Sequence, residues 1–185
     1  MTRLCKLCKQ YGSDKDGLHN YTPLYHALLA KRKITRMLEI GIGTKACMVP
    51  AVGRNYQPGA SLRMWRDYFP DAEIWGWDID RDVLVNDGRI HTHWCDQSDI
   101  SSLEAAADAS GKMFDLIVDD GSHILDHQVL SANFLYNRLT PGGLYMVEDM
   151  ANIAAANHLV SLLRYPATVY VTNPIRQDVL VVLER

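Results

Sequence analysis

FDLIVDDGSH, residues Phe114–His123, sets a mostly apolar run against two acids, a glycine, a serine and a histidine. The run Phe114 to Val118 has the composition of a strand buried on both faces. Its polar half then falls at the carboxyl end. Downstream, Pro141-Gly142-Gly143 reads as a turn, and Leu144 to Val147 as a further strand that runs into Glu148-Asp149. Upstream, Arg36 to Ile40 (RMLEI) is a short strand ending at Gly41-Ile42-Gly43. Glu73 to Trp77 ends at Asp78, and Ile90 to Trp94 ends near Asp96. Five strands thus deliver glycines or acids at the same end.

Helical patterns lie between the strands. Thr22-Pro23 reads as a helix start, Thr as N-cap and Pro at the first helical position, with the helix running to about Lys33. The stretch from Gly43 to about Gly59 contains Pro50, Pro58 and several glycines, so a loop is expected there. Ser61 to Phe69 places Leu62, Trp65 and Phe69 on one helical face. Ser101 with Glu104 makes a capping-box start for a helix to Ala109. His123 to Arg138 and Ile153 to Leu163 complete the helices, and the first 20 residues are polar and irregular. Thr168 to Val171 and Val179 to Leu183, joined by an Asn-Pro turn, can pair antiparallel at a sheet edge. The alternation predicts an α/β fold: a Rossmann-like, mostly parallel sheet with a C-terminal antiparallel β-hairpin. Five β-α units and a hairpin is the order of a methyltransferase sheet. At 185 residues the chain suits a single domain, residues 1–185.

The composition, 48% hydrophobic and 22% charged, is that of an ordinary globular protein. A net charge of -3 gives no basic excess for a phosphate backbone, so nucleic acid is not the expected partner. No apolar run is long enough to span a bilayer, and MTRLCKLCKQ lacks the apolar core of a secretory signal, so a cytoplasmic protein is expected. Cys5 and Cys8 form a C-x-x-C with no second pair for zinc, and read as reduced thiols.

In open α/β sheets the ligand crevice lies at the carboxyl ends of the strands. Gly41 and Gly43 let the backbone approach a ligand without a Cβ in the way. Asp78 is placed to accept from both hydroxyls of a ribose, and Asp96-Gln97-Ser98 to reach an adenine edge. A dinucleotide is the competing ligand. Against it stand the missing third glycine, where Ala46 lies, and the lack of a clear helix start after Gly43 to meet a pyrophosphate. Adenosylmethionine carries no phosphate and needs none.

Asp119-Asp120 and Glu148-Asp149 follow adjacent strands. Asp120, Glu148 and Asp149 would repel one another unless a cation sat between them, and all-oxygen ligation suits Mg²⁺. Carboxylates hydrogen-bonded near helix N-termini are the alternative, and spacing alone does not decide. His123, three residues after Asp120, is a candidate general base because imidazole titrates near neutrality. His123 and His127, four apart, also describe a zinc pair, but no Cys or third His stands nearby.

Taken together, YGSDKDGLHNYTPLY, LEIGIG, GASLRMWRDYFPDAEIWGWDID, DQSD, FDLIVDDGSH and LTPGGLYMVEDM span Tyr11 to Asp149. They resemble the metal-dependent sugar O-methyltransferases of antibiotic biosynthesis, macrolide and rhamnosyl, whose core the cephalosporin hydroxylase-like proteins share. The resemblance implies Mg²⁺ on Asp120, Glu148 and Asp149, with His123 as base. It implies a cofactor site lined by Glu39, Gly41, Ser61, Asp78, Asp96, Gln97 and Ser98. It also implies that Ser13-Asp14-Lys15 closes over the methionine end of adenosylmethionine, Lys15 pairing with its carboxylate, so that residues 1–33 cover the cleft. Lys45-Ala46-Cys47 departs from the family's glycine-rich turn, and the segment Met150 to Pro166 is short where larger relatives carry recognition elements. The expected activity is O-methylation of a sugar-like or polyol hydroxyl on a small or glycosylated acceptor. The acceptor's identity and any association between copies stay open. The rival readings are a non-catalytic adenosylmethionine or adenosylhomocysteine binding module, a hydroxylase-like oxidoreductase, and a purely structural domain.

Overall fold

The structure, a computed structural model, describes residues 1–111 and 113–185. The chain runs α1 (Arg3–Tyr11), α2 (Tyr21–Leu29), β1 (Arg36–Ile40), α3 (Lys45–Val52), α4 (Ala60–Tyr68), β2 (Glu73–Asp78) and β3 (Ile90–Trp94). It continues α5 (Ile100–Ser110), β4 (Phe114–Asp119), α6 (Leu125–Leu135), β5 (Leu139–Val147), α7 (Ile153–Leu162), β6 (Ala167–Asn173) and β7 (Asp178–Glu184). The strands form a seven-stranded sheet in the order β3-β2-β1-β4-β5-β7-β6. The first five strands in that order are parallel. β7 inserts antiparallel between β5 and β6. The expected mostly parallel sheet with an antiparallel hairpin is observed, with the hairpin docked through its second strand.

Strand alternation divides the core between the two faces. Met37, Val118 and Met146 pack on one side with Leu62 and Trp65 of α4 and Tyr21 and Tyr25 of α2. Leu38, Ile117 and Tyr145 pack on the other with Leu103 of α5, Leu135 of α6 and Leu159 of α7. Leu62, fully buried, is worth about 2–5 kcal/mol against alanine at such a position.

Several local expectations are corrected. The first 20 residues are not irregular: Thr2 caps α1, accepting from the Cys5 backbone N–H, and Leu4, Cys5 and Cys8 turn inward from a lysine-rich exterior. The C-x-x-C is therefore one buried helix stripe, and both thiols are free. α2 starts after Asn20 rather than at a Thr22 cap, and it ends at Leu29. A helix does begin after Gly43: Thr44 accepts from the Cys47 N–H and opens α3, with Pro50 inside it. α5 is capped by Asp99 rather than Ser101. α6 begins at Leu125, so His123 is not helical; its φ of 57° puts it in the left-handed region. Pro141-Gly142-Gly143 lies within β5, but pairing with β4 jumps from Leu139 to Leu144, so the turn expected there is a bulge. Among the described residues no helix is long and apolar enough to cross a membrane.

Candidate functional site

At the carboxyl end of the parallel strands a cleft of about 800 Å³ opens between the tips of β1, β2, β3 and β4 and the turn that carries Ser13 to Lys15. Gly41 (φ 91°) forms its floor. A Cβ there would lie 2.0 Å from the Asp120 carbonyl oxygen, so the crossing of β1 and β4 tips requires glycine. Asp78 ends β2 with both oxygens turned to backbone: Oδ2 accepts from Ile42 N (2.7 Å) and Oδ1 from Asp80 N (2.9 Å). Asp96 accepts twice from Ser98, through its N–H and its hydroxyl, and those bonds hold its carboxyl below the usual range. Gly41, Ser61, Asp78, Asp96, Gln97, Ser98 and Lys15 all border this one cleft.

Two of the expected lining residues are committed elsewhere. Gln97 donates to Asp119 Oδ1 (2.7 Å) and Ser131 Oγ (3.0 Å) and accepts from Ser122 N (3.0 Å). It braces the Asp119–Ser122 turn from beneath. Glu39 is fully buried behind the wall, accepting from Ser61 Oγ at 2.7 Å and lying 3.2 Å from the Lys15 ammonium. Burial pushes its carboxyl up.

Lys15 borders the cleft, but its ammonium is engaged by the strand-tip acids. It is 1% exposed and turns inward, its Nζ 2.6 Å from Asp120 Oδ2 and 2.8 Å from Glu148 Oε2. Burial opposes its charge, but Asp120, Glu148 and Glu39 outweigh that and hold it well above the ordinary lysine value. Cys8 anchors the turn: its thiol donates to the Ser13 carbonyl and accepts from Asp16 N, each at 3.1 Å. Burial raises that thiol to about 11, so it stays a neutral donor.

Asp120, His123 and Asp149 bring one ligand atom each to within 4.8 Å of one another. His123 Nε2 is 3.2 Å from Asp120 Oδ1 and 3.8 Å from Asp149 Oδ2. The bond to Asp120 raises the imidazole to about 9. Burial works against ionisation of Asp120, yet Lys15 and His123 bring it down to about 2. Glu148 lies behind this group, with both oxygens engaged, one by Lys15 and the other by the Tyr25 hydroxyl. Burial drives its carboxyl well above the usual value. The carboxylates of Asp120 and Asp149, with Glu148 behind them, are an oxygen donor set that fits a hard divalent cation, and the His123 imidazole stands beside it.

Sequence reasoning missed the donors that hold these acids. Tyr21 and Tyr25 sit four apart on α2 with buried rings. Their hydroxyls reach Asp149 and Glu148. The available signal was that a tyrosine at a core position needs a partner for its hydroxyl.

No protein-family model matches the chain. It is 42% identical over 149 residues to the 8-demethyl-8-alpha-L-rhamnosyl tetracenomycin-C 2'-O-methyltransferase of Streptomyces olivaceus, a match covering 80% of this chain and 37% of that protein. It is 40% identical over 150 residues to the mycinamicin VI 2''-O-methyltransferase of Micromonospora griseorubida, covering 80% of this chain and 36% of that one. A solved structure of the MycE methyltransferase from the mycinamycin biosynthetic pathway, in complex with Mg, SAH and mycinamycin VI, superposes with a TM-score of 0.77. That match is 28% identical and covers 99% of this chain and 53% of the other. The chain has the class I methyltransferase fold and is a homologue of these sugar O-methyltransferases. This methyltransferase homologue spans little more than a third of the length of those two curated relatives. Its strand-tip acids and its Lys15 turn all lie in the segment, Tyr11 to Asp149, that carried the resemblance.

Proposed function

We propose that residues 1–185 are one methyltransferase domain, with residues 1–33 over its cleft. The activity is adenosylmethionine-dependent, Mg²⁺-assisted O-methylation of a sugar hydroxyl on a glycosylated acceptor, in the cytoplasm. One observation carries this reading: the Asp120-His123-Asp149 group opens into the same cleft as Gly41, Asp78 and Asp96. The names of the relatives support the substrate class, and four free cysteines, Cys47 exposed among them, fit a reducing compartment.

Adenosylmethionine, when bound, supplies an electrophilic methyl group, and Mg²⁺ supplies positive charge beside the acceptor oxygens. Asp78, Asp96 and the Gly41 backbone are the groups that would hold the nucleoside. Asp120 and Asp149 would hold the cation, joined by Glu148 if Lys15 or Tyr25 releases an oxygen. His123 is the group placed to take the acceptor proton, at Nε2. A base must be neutral, and Asp120 keeps this imidazole protonated at pH 7. A cation held by Asp120 and Asp149 would offset the negative charge that raises this imidazole, and would favour the neutral form that His123 needs to accept a proton.

Calorimetry with adenosylhomocysteine, with and without Mg²⁺, followed by labelled methyl transfer to rhamnosylated and other glycosylated acceptors, tests the proposal. Binding of both, with transfer that stops on chelation, is expected. Adenosylhomocysteine binding with no Mg²⁺-dependent transfer to any glycosylated acceptor would leave a binding module instead.

A further inference from the structure

The turn Lys15–Tyr21 is bound to itself before it meets the acids: the N–H groups of Tyr21 and Thr22 both donate to the Lys15 carbonyl, at 2.9 and 3.3 Å. One backbone unit thus presents Lys15 to Asp120 and Glu148, and Tyr21 to Asp149. Tyr21 is fully buried, at the first position of α2, its ring stacked on His19 at 5.3 Å.

The Tyr21 hydroxyl makes two bonds to one residue. It donates to Asp149 Oδ1 (2.9 Å) and accepts from the Asp149 backbone N–H (3.1 Å). Asp149 lies in the left-handed region, with a φ of 55°, and the Tyr21 hydroxyl holds its backbone N–H there. With Oδ1 tied back to Tyr21, Oδ2 is the oxygen nearer His123 Nε2, at 3.8 Å. The other neighbours of the Asp149 carboxylate do not replace the phenol. His19 Nδ1 lies 3.5 Å from Oδ1 and 3.5 Å from Asp178 Oδ1, and this buried nitrogen makes no hydrogen bond among the described residues.

We propose that Tyr21 is a positioning residue for the cation site: its hydroxyl fixes both the backbone and the Oδ1 of Asp149, so that Oδ2 is presented beside Asp120 and His123. The inference rests on the reading of that group as a cation site. Groups that orient a ligating carboxylate are worth 10–100-fold in metal affinity. Tyr21→Phe keeps the ring and its stacking and removes only the oxygen.

The test is titration of the purified chain with Mn²⁺, followed by its electron paramagnetic resonance, with thermal unfolding of the cation-free protein alongside. Tyr21→Phe should weaken Mn²⁺ roughly 10–100-fold. Tyr68→Phe is the matched control. It deletes another tyrosine hydroxyl, one paired with His26 Nδ1 at 2.7 Å beside Ile34 and Thr35, which precede β1, and should leave Mn²⁺ affinity unchanged. 3-Fluorotyrosine at position 21 retains the hydroxyl, and should stay within about threefold of wild type even where Tyr21→Phe folds poorly. Equal affinity in wild type and Tyr21→Phe, equal losses in Tyr21→Phe and Tyr68→Phe, or a loss with fluorotyrosine as large as the phenylalanine effect would overturn the role of Tyr21 alone. No Mn²⁺ binding by the wild type would overturn the cation reading and this inference with it.

Discussion

Asp119 and Asp120 are consecutive at the tip of β4, and they live in opposite chemistries. Asp119 is fully buried and surrounded by neutral donors: Gln97 Nε2, Ser131 Oγ and Tyr145 OH, each at 2.7 Å. Burial pushes its carboxyl up. Asp120 meets an ammonium and an imidazole and borders the cleft. Strand alternation sends neighbouring side chains to opposite faces, so a single step along the chain separates a brace from a reactive group. The pair teaches that an acidic doublet at a strand end is not two copies of one function. The first acid ties β4 to α6 and β5, and the second has charged partners, Lys15 at 105 residues' distance and His123 three residues on.

The sharpest way to break the comparison is at the partner of Asp120. His123→Ala should lower methyl transfer roughly 10²–10⁴-fold while adenosylhomocysteine affinity holds, because only a proton acceptor is removed. Single-turnover transfer with a glycosylated acceptor measures it, and an unchanged rate would take His123 out of the base role. At the partner of Asp119 the loss should be in stability. Asp119→Ala removes the acceptor that three buried donors share and should cost about 3 kcal/mol in urea unfolding. A change below about 1 kcal/mol would show that the network carries little.

Asp120→Asn is expected to do the reverse of Asp119→Ala. The folded chain survives, but Mn²⁺ affinity falls by roughly 10²-fold or more, beyond the usual effect of a group outside the ligand set. If Asp119→Asn proved the more damaging to Mn²⁺ binding, the two roles would have to be exchanged.

How much of this contrast was readable beforehand depends on the range of the interaction. The strand tips were legible, because apolar runs such as Phe114 to Val118 and Leu144 to Val147 stop at acids, and parallel pairing then gathers the tips. Gly41 was legible as a close approach, though the contact that demands it, the Asp120 carbonyl, was not. Lys15 was not legible, since its partners lie 105 and 133 residues away and nothing local tells a lysine which way to turn. α1 was hidden because only Leu4, Cys5 and Cys8 of its nine residues are buried. α3 was hidden by Pro50, which its solvent-facing helix accommodates. The insertion of β7 between β5 and β6 is a matter of order, which a hairpin pattern does not encode.

The smallest effect separates the doublet by pH. Asp120 is held near 2, so its contribution to stability is present above the unfolded aspartate value and is lost as pH falls through about 2. His123 is raised to about 9, so its contribution is complete below the unfolded value of about 6.5 and is lost as pH rises through 9. In cation-free protein the thermal midpoint of wild type should therefore lose ground to His123→Asn between roughly pH 6.5 and 9. The side chain of His123 is 40% exposed, so the divergence will be modest and will shrink in salt. Adding Mg²⁺ should flatten the difference, because a cation on Asp120 and Asp149 offsets the negative charge that holds the imidazole proton. Asp119, with no charged partner within hydrogen-bonding distance among the described residues, predicts no such divergence: Tyr145→Phe should shift the midpoint by the same amount at pH 6.5 and at pH 9. A parallel offset there, beside converging curves for His123→Asn, is the pattern that distinguishes a neutral brace from an ion pair.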